Sequence, residues 1–225
     1  MEAHLPTLKD MRLHQDIVNI LGNRFPDVLV TAVFTHMQKN DEDLYNHQYL
    51  RDSLSVANRL IDHDGNFTEH DKTLAFAIVL LMETGHPLTR DYPYDAAPGM
   101  GWYYLRMHAR SLFNRDELRF ITQSLRPLKP QTLRPSWSTR IQLVVHNTKR
   151  LTDIVCQNYN KVYREFVSSH NKLVQSTELD DLFLSYYGHN GSLWDAISDS
   201  AKGVFASEIS LFKREIISAI GESPT

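Results

Sequence analysis

Three short stretches carry residue types and spacings that could do metal or phosphate chemistry. His47 opens a helical pattern. Glu83 and His86 follow the most apolar run of the chain in Leu80-Leu81-Met82-Glu83-Thr84-Gly85-His86-Pro87, and Lys149 lies in His146-Asn147-Thr148-Lys149-Arg150-Leu151. Neutral imidazoles and carboxylates bind divalent cations at about 2.0–2.2 Å, and such a cation activates water for attack at phosphorus. His47, Glu83 and His86, joined by His108, are therefore the candidate catalytic residues and ligands for Mn, Mg, Zn or Fe. Arg51, Arg90, Arg106, His108, Arg140 and Lys149 could line a phosphate pocket, since guanidinium and ammonium groups make charge-assisted hydrogen bonds. A second set, His63, Asp64, His70 and Asp71, straddles Gly65-Asn66 and reads as solvated polar groups around a turn.

Helices must position these groups, because the apolar residues recur at three and four almost everywhere. Leu13, Ile17, Ile20 and Leu21 form one stripe, and Val28, Val30, Val33 and Phe34 a short helix after Pro26. Leu44 to Ile61 predicts a helix ending near Asp64-Gly65-Asn66. Thr68-Glu69-His70-Asp71 reads as a capping box opening the apolar helix Leu74 to Met82. The three prolines of Gly85 to Gly101 predict an ordered loop, followed by a helix over Trp102 to Leu112. Asn114-Arg115-Asp116-Glu117 reads as the cap of the next helix. Pro127, Pro130 and Pro135 mark a second loop; Ser138 to Val167 predicts one long helix, and Leu179 to Tyr187 and Ala201 to Ile220 a closing pair. The expectation is an all-α bundle of about eight to ten helices forming one domain over residues 1–225.

The step of about 35 residues from His47 to Met82, the Leu-Leu-x-x-x-Gly-His signature and the late helical segment around Lys149 resemble the HD-domain superfamily of metal-dependent phosphohydrolases, over roughly residues 40–155. The stretch from Tyr186 to Trp194 is also similar to the tail of certain phage and bacterial HD-domain proteins. The resemblance implies a helical fold and a metal site built from a first His, a consecutive His-Asp pair and a late Asp. His47 matches the first ligand. Met82 stands where the motif His would be, Glu83 where its Asp would be, and Lys149 where the last Asp would be. A thioether is a poor donor for these cations and an ammonium has no lone pair to give. The expectation is thus a degenerate site without a resident metal, with Lys149 replacing the cation and pairing with Glu83 and His47. Such a chain would be a non-catalytic regulatory or binding module for a nucleotide or protein partner. An active phosphohydrolase and a helical interaction module outside this superfamily are the alternatives.

Composition bounds these readings. The 225 residues carry 24 basic and 27 acidic side chains for a net charge of −3, without the excess of a dedicated nucleic-acid binder. This argues against nucleic acid as the partner and leaves open only a local basic patch. One cysteine, Cys156, excludes an intramolecular disulfide. No apolar run approaches the roughly 20 residues of a membrane span, and no secretory leader is evident, so the sequence reads as cytoplasmic. P-loop, dinucleotide and nucleophile-elbow motifs are absent.

Overall fold

In the computed structural model, which describes residues 7–39, 46–85, 93–125, 140–156, 159–170 and 176–220, helix follows helix because the local caps are in place. Thr7 starts α1 (Leu8–Leu21): its hydroxyl accepts the Asp10 N–H, while the Asp10 carboxylate accepts the Thr7 N–H at 2.9 Å. α2 (Asp27–Gln38) begins after Pro26. Asn46 caps α3 (His47–Asp64) by accepting the Gln48 and Tyr49 N–H groups, and Gly65 ends it at φ 67°, a left-handed conformation open to glycine. The expected Thr68–Asp71 box opens α4 (Glu69–Leu81), and an Asn114–Glu117 box opens α6 (Arg115–Ser124). Replacing one such cap typically costs about 1 kcal/mol.

No strand occurs among the described residues. Beyond α6 come α7 (Arg140–Cys156), α8 (Tyr159–His170), α9 (Ser176–Tyr187), α10 (Ser192–Asp195), α11 (Asp199–Val204) and α12 (Ala206–Ile220). The chain is all-α, as the periodicity predicts. It divides into two compact units, residues 1–145 and 146–225, with the division falling inside α7. The span of the HD resemblance, about 40–155, crosses that division.

In the first unit α3 packs against α1, α2 and α4, and α4 also touches α5 (Pro93–His108) and α6. α4 is the core helix, with every residue from Leu74 to Leu81 buried. A helix apolar on all sides has no solvated face to offer, and each large aliphatic side chain so buried contributes about 1.5–3 kcal/mol. In the second unit Phe183, fully buried, is the hub of an aromatic cluster. Tyr159, Tyr163 and Phe166 meet it edge-on at 5.8, 5.1 and 5.2 Å, and Tyr187 stacks on it at 4.7 Å. Trp194 is buried as well, its indole N–H donating to the Gly188 carbonyl.

Three expected boundaries shift. The helix expected over Trp102 to Leu112 begins at Pro93, runs through Pro98 and ends at His108. Proline is tolerated at the first helical position, where its missing N–H has no partner to lose. Farther in, buried Ala97 and Gly101 hold the face, a Cβ at Gly101 falling 2.3 Å from the Leu125 side chain. Within the helix expected over Ser138 to Val167, the described residues are helical at α7 and α8, and residues 138–139 and 157–158 lie outside the described residues. α8 takes a partner for the Tyr159 N–H from the Glu215 carboxylate at 3.2 Å, contributed by α12. The closing helix expected over Ala201 to Ile220 is split at buried Phe205, whose φ −118° and ψ 26° interrupt the helical run. The loop expected between Pro127 and Pro135 lies outside the described residues.

Two glycines give opposite tests of this packing. A Cβ at Gly191 would sit 2.2 Å from the Tyr186 backbone oxygen, whereas nothing lies within 4 Å of one at Gly203 in α11. Gly191→Ala is expected to destabilise the protein by about 1–3 kcal/mol and Gly203→Ala to stabilise it by about 0.5–1 kcal/mol. Urea unfolding of both variants checks the pair; equal effects would contradict the close approach at Gly191.

Candidate functional site

His47 is the first residue of α3 and only 2% exposed. Its Nε2 lies 3.1 Å from Oδ1 of Asp10, a close ionic approach without the alignment of a regular hydrogen bond. The other oxygen of Asp10 closes the α1 capping box, accepting both the backbone N–H and the hydroxyl of Thr7. The Thr7 N–H, foremost, holds the Asp10 carboxyl below its ordinary value against the opposing effect of burial, and the Thr7 hydroxyl and His47 add to it. An ionised carboxylate only accepts, so the Nε2 facing it carries the proton. Phe34 meets the His47 ring edge-on at 5.2 Å, fixing its plane.

The same device recurs at α6. Glu117 closes the box at Asn114 with one oxygen, and its other oxygen is 2.9 Å from His70 Nε2. His70 and Asp71 thus serve two caps, Asp71 that of α4. Asn66 donates to the backbone and side chain of Asp64 across the turn. The turn residues are accounted for by local structure.

Glu83 is buried to 2% in the turn after α4, next to Met82, itself 4% exposed. Beside them Thr84 offers its carbonyl to His36 Nε2 at 2.8 Å. A carbonyl cannot donate, so His36 carries its proton on Nε2; burial holds it below histidine's ordinary range. His86 and Arg90 lie outside the described residues. Arg51 reaches Asp52 at 3.2 Å, His108 stacks on Tyr104 at the end of α5, Arg106 is exposed on α5, and exposed Arg140 donates to the Asn66 carbonyl. Lys149 is half-buried in the second unit. An open cleft of about 460 Å³ is lined by Leu74, Asn114, Arg115, Asp116, Glu117 and Phe120, none of them a predicted ligand-binding residue.

These residues do not suit the divalent cation that the HD resemblance implies. A buried thioether occupies the motif His position, and the imidazole at the first-ligand position already faces a carboxylate. Among the described residues no three His, Cys, Asp or Glu side chains are grouped to hold a metal ion.

Two buried polar residues of the second unit make structural contacts that sequence spacing does not indicate. His146 donates from Nε2 to the Ala196 carbonyl at 2.9 Å and accepts at Nδ1 from Arg150 at 2.8 Å. Asn147 donates to the Ser198 hydroxyl at 2.9 Å and accepts the Ser198 N–H, and that hydroxyl in turn caps α11. Together they latch α7 to the turn between α10 and α11. Nothing local to positions 146 and 147 announces partners 50 residues away. Asp10 was also missed, although Thr7-x-x-Asp10 before an apolar stripe is the same capping signal as Thr68-x-x-Asp71.

The latch makes stability pH-dependent. Burial foremost, then the Arg150 and Lys149 charges, depress the His146 pKa to about 4. The unfolded chain, near 6.5, binds the proton more readily. The contribution of neutral His146 is therefore intact above pH 6.5 and lost as the pH falls toward 4, at up to about 1.4 kcal/mol per pH unit. Gln can replace both hydrogen bonds without titrating. Urea unfolding between pH 7 and pH 4 is expected to show a steeper loss in the wild type than in His146→Gln; parallel curves would contradict the lowered affinity of buried His146 for a proton.

Compared with known proteins, the chain matches no family model, no curated protein and no solved structure.

Proposed function

We propose that the chain is a divergent HD-like protein without catalytic activity, serving as a regulatory or binding module for a nucleotide or protein partner. The observation that carries this reading is the His47–Asp10 approach at 3.1 Å. The one residue that matches a metal ligand of the superfamily is engaged by a carboxylate whose second oxygen is committed to a helix cap. A cation at His47 would have to displace the proton on Nε2 and compete with a charge already satisfied in place. Met82 and Lys149 at two further ligand positions support the same reading, since neither side chain donates well to a hard cation.

Elemental analysis of untagged protein, beside a His47→Ala variant, tests it. Neither protein is expected to hold stoichiometric Mn, Fe, Zn or Mg, and added Mn²⁺ should leave the unfolding midpoint unmoved and support no hydrolysis of nucleotides. A divalent metal near one per chain that disappears in His47→Ala would overturn the reading in favour of an active phosphohydrolase.

A further inference from the structure

α5 turns an unusual face outward. Trp102 is 43% exposed, Tyr103 52% and Met107 60%, and Arg106 and Arg110 are exposed beside them. Between Asp95 and Asp116 the sequence holds no carboxylate, whereas Arg106, Arg110 and Arg115 fall within it. Neither Arg106 nor Arg110 pairs with a carboxylate among the described residues. In a chain of net charge −3 this is a local concentration of uncompensated positive charge.

The order of groups around the helix narrows the occupant. At about 100° per residue, Arg106 projects about 40° from Trp102, Tyr103 about 100° and Met107 about 140°. A cation therefore sits at the middle of the exposed face, flanked by ring systems and a thioether. A bilayer surface calls for the reverse order, with apolar groups central and cations at the margins. An acidic peptide would meet the arginines but has no flat surface for the rings. Single-stranded nucleic acid presents phosphates and unstacked base faces in alternation. Aromatic side chains stack on such bases whatever their identity, and Arg neutralises the phosphates.

From this charge complementarity and this order of groups, we infer that the Trp102, Tyr103 and Arg106 face of α5, with Arg110 in the turn that follows it, binds single-stranded nucleic acid, phosphates on the two arginines and bases on the two rings. The inference rests on neither the HD resemblance nor the state of His47, so a metal found at His47 leaves it standing.

Fluorescence anisotropy of the full chain with a labelled mixed-sequence single strand of about 20 nucleotides tests it. The expected result is micromolar binding that weakens with salt. The double variant Arg106→Gln/Arg110→Gln should bind at least tenfold more weakly, and its log K against log salt slope should be shallower by about 1.4, at about 0.7 for each phosphate no longer neutralised. Trp102→Ala and Tyr103→Ala should each cost about tenfold, with helical circular dichroism unchanged because both side chains are exposed. Absence of binding at low salt would overturn the inference. So would binding that these variants leave intact, or equal affinity for duplex DNA, polyglutamate or vesicles containing one third phosphatidylserine.

Discussion

One carboxylate serves two helices. Asp10 gives an oxygen to Thr7, closing the first turn of α1, and turns the other to His47, the first residue of α3. Because α3 is the helix against which α1, α2 and α4 all pack, the start of α3 must be held in register for the rest of the first unit to assemble. A bare imidazole there would leave a buried polar ring against Phe34, and a bare carboxylate would leave a buried charge; either is costly alone. Together, with the Thr7 N–H and hydroxyl on the second oxygen, the two groups offset one another.

Histidines elsewhere in the fold follow related chemistry. His36 and His146 each place an Nε2–H on a backbone carbonyl that no helix satisfies, and His70 meets a second capping carboxylate. The abundance of histidine, which in sequence suggests metal or phosphate chemistry, is at these positions a supply of donors for helix ends and turns. Burial keeps His36 and His146 neutral, the state in which one nitrogen donates and the other accepts. In the second unit that neutrality lets a single ring bridge Arg150 and Ala196 while Asn147 holds Ser198.

How far the sequence discloses this follows from the range of each interaction. Caps at Thr68 and Asn114, the stop at Gly65 and the apolar stripe of α4 depend on residues within a few positions, and they stand where the local pattern puts them. The Tyr159 N–H takes its partner, Glu215, from a distant segment, and the interruption at Phe205 falls within an apolar register that runs on across it. Pro98 misleads for the converse reason: a local helix breaker is overridden by packing at Ala97 and Gly101. Among the candidate site residues, His47, Glu83 and Met82 are buried. Asp10, which faces His47, lies 37 positions before it and outside the compass of the motif, so spacing alone does not indicate the pair.

Both the packing at the start of α3 and the reading of His47 proposed above turn on whether Asp10 and His47 act on each other. A double-mutant cycle of Asp10→Asn and His47→Gln, read by urea unfolding at pH 7, measures this directly. A coupling energy of about 1–3 kcal/mol is predicted, within the range for two side chains in direct contact. Additive effects within about 0.3 kcal/mol would contradict it and return His47 to the pool of side chains free to serve another purpose.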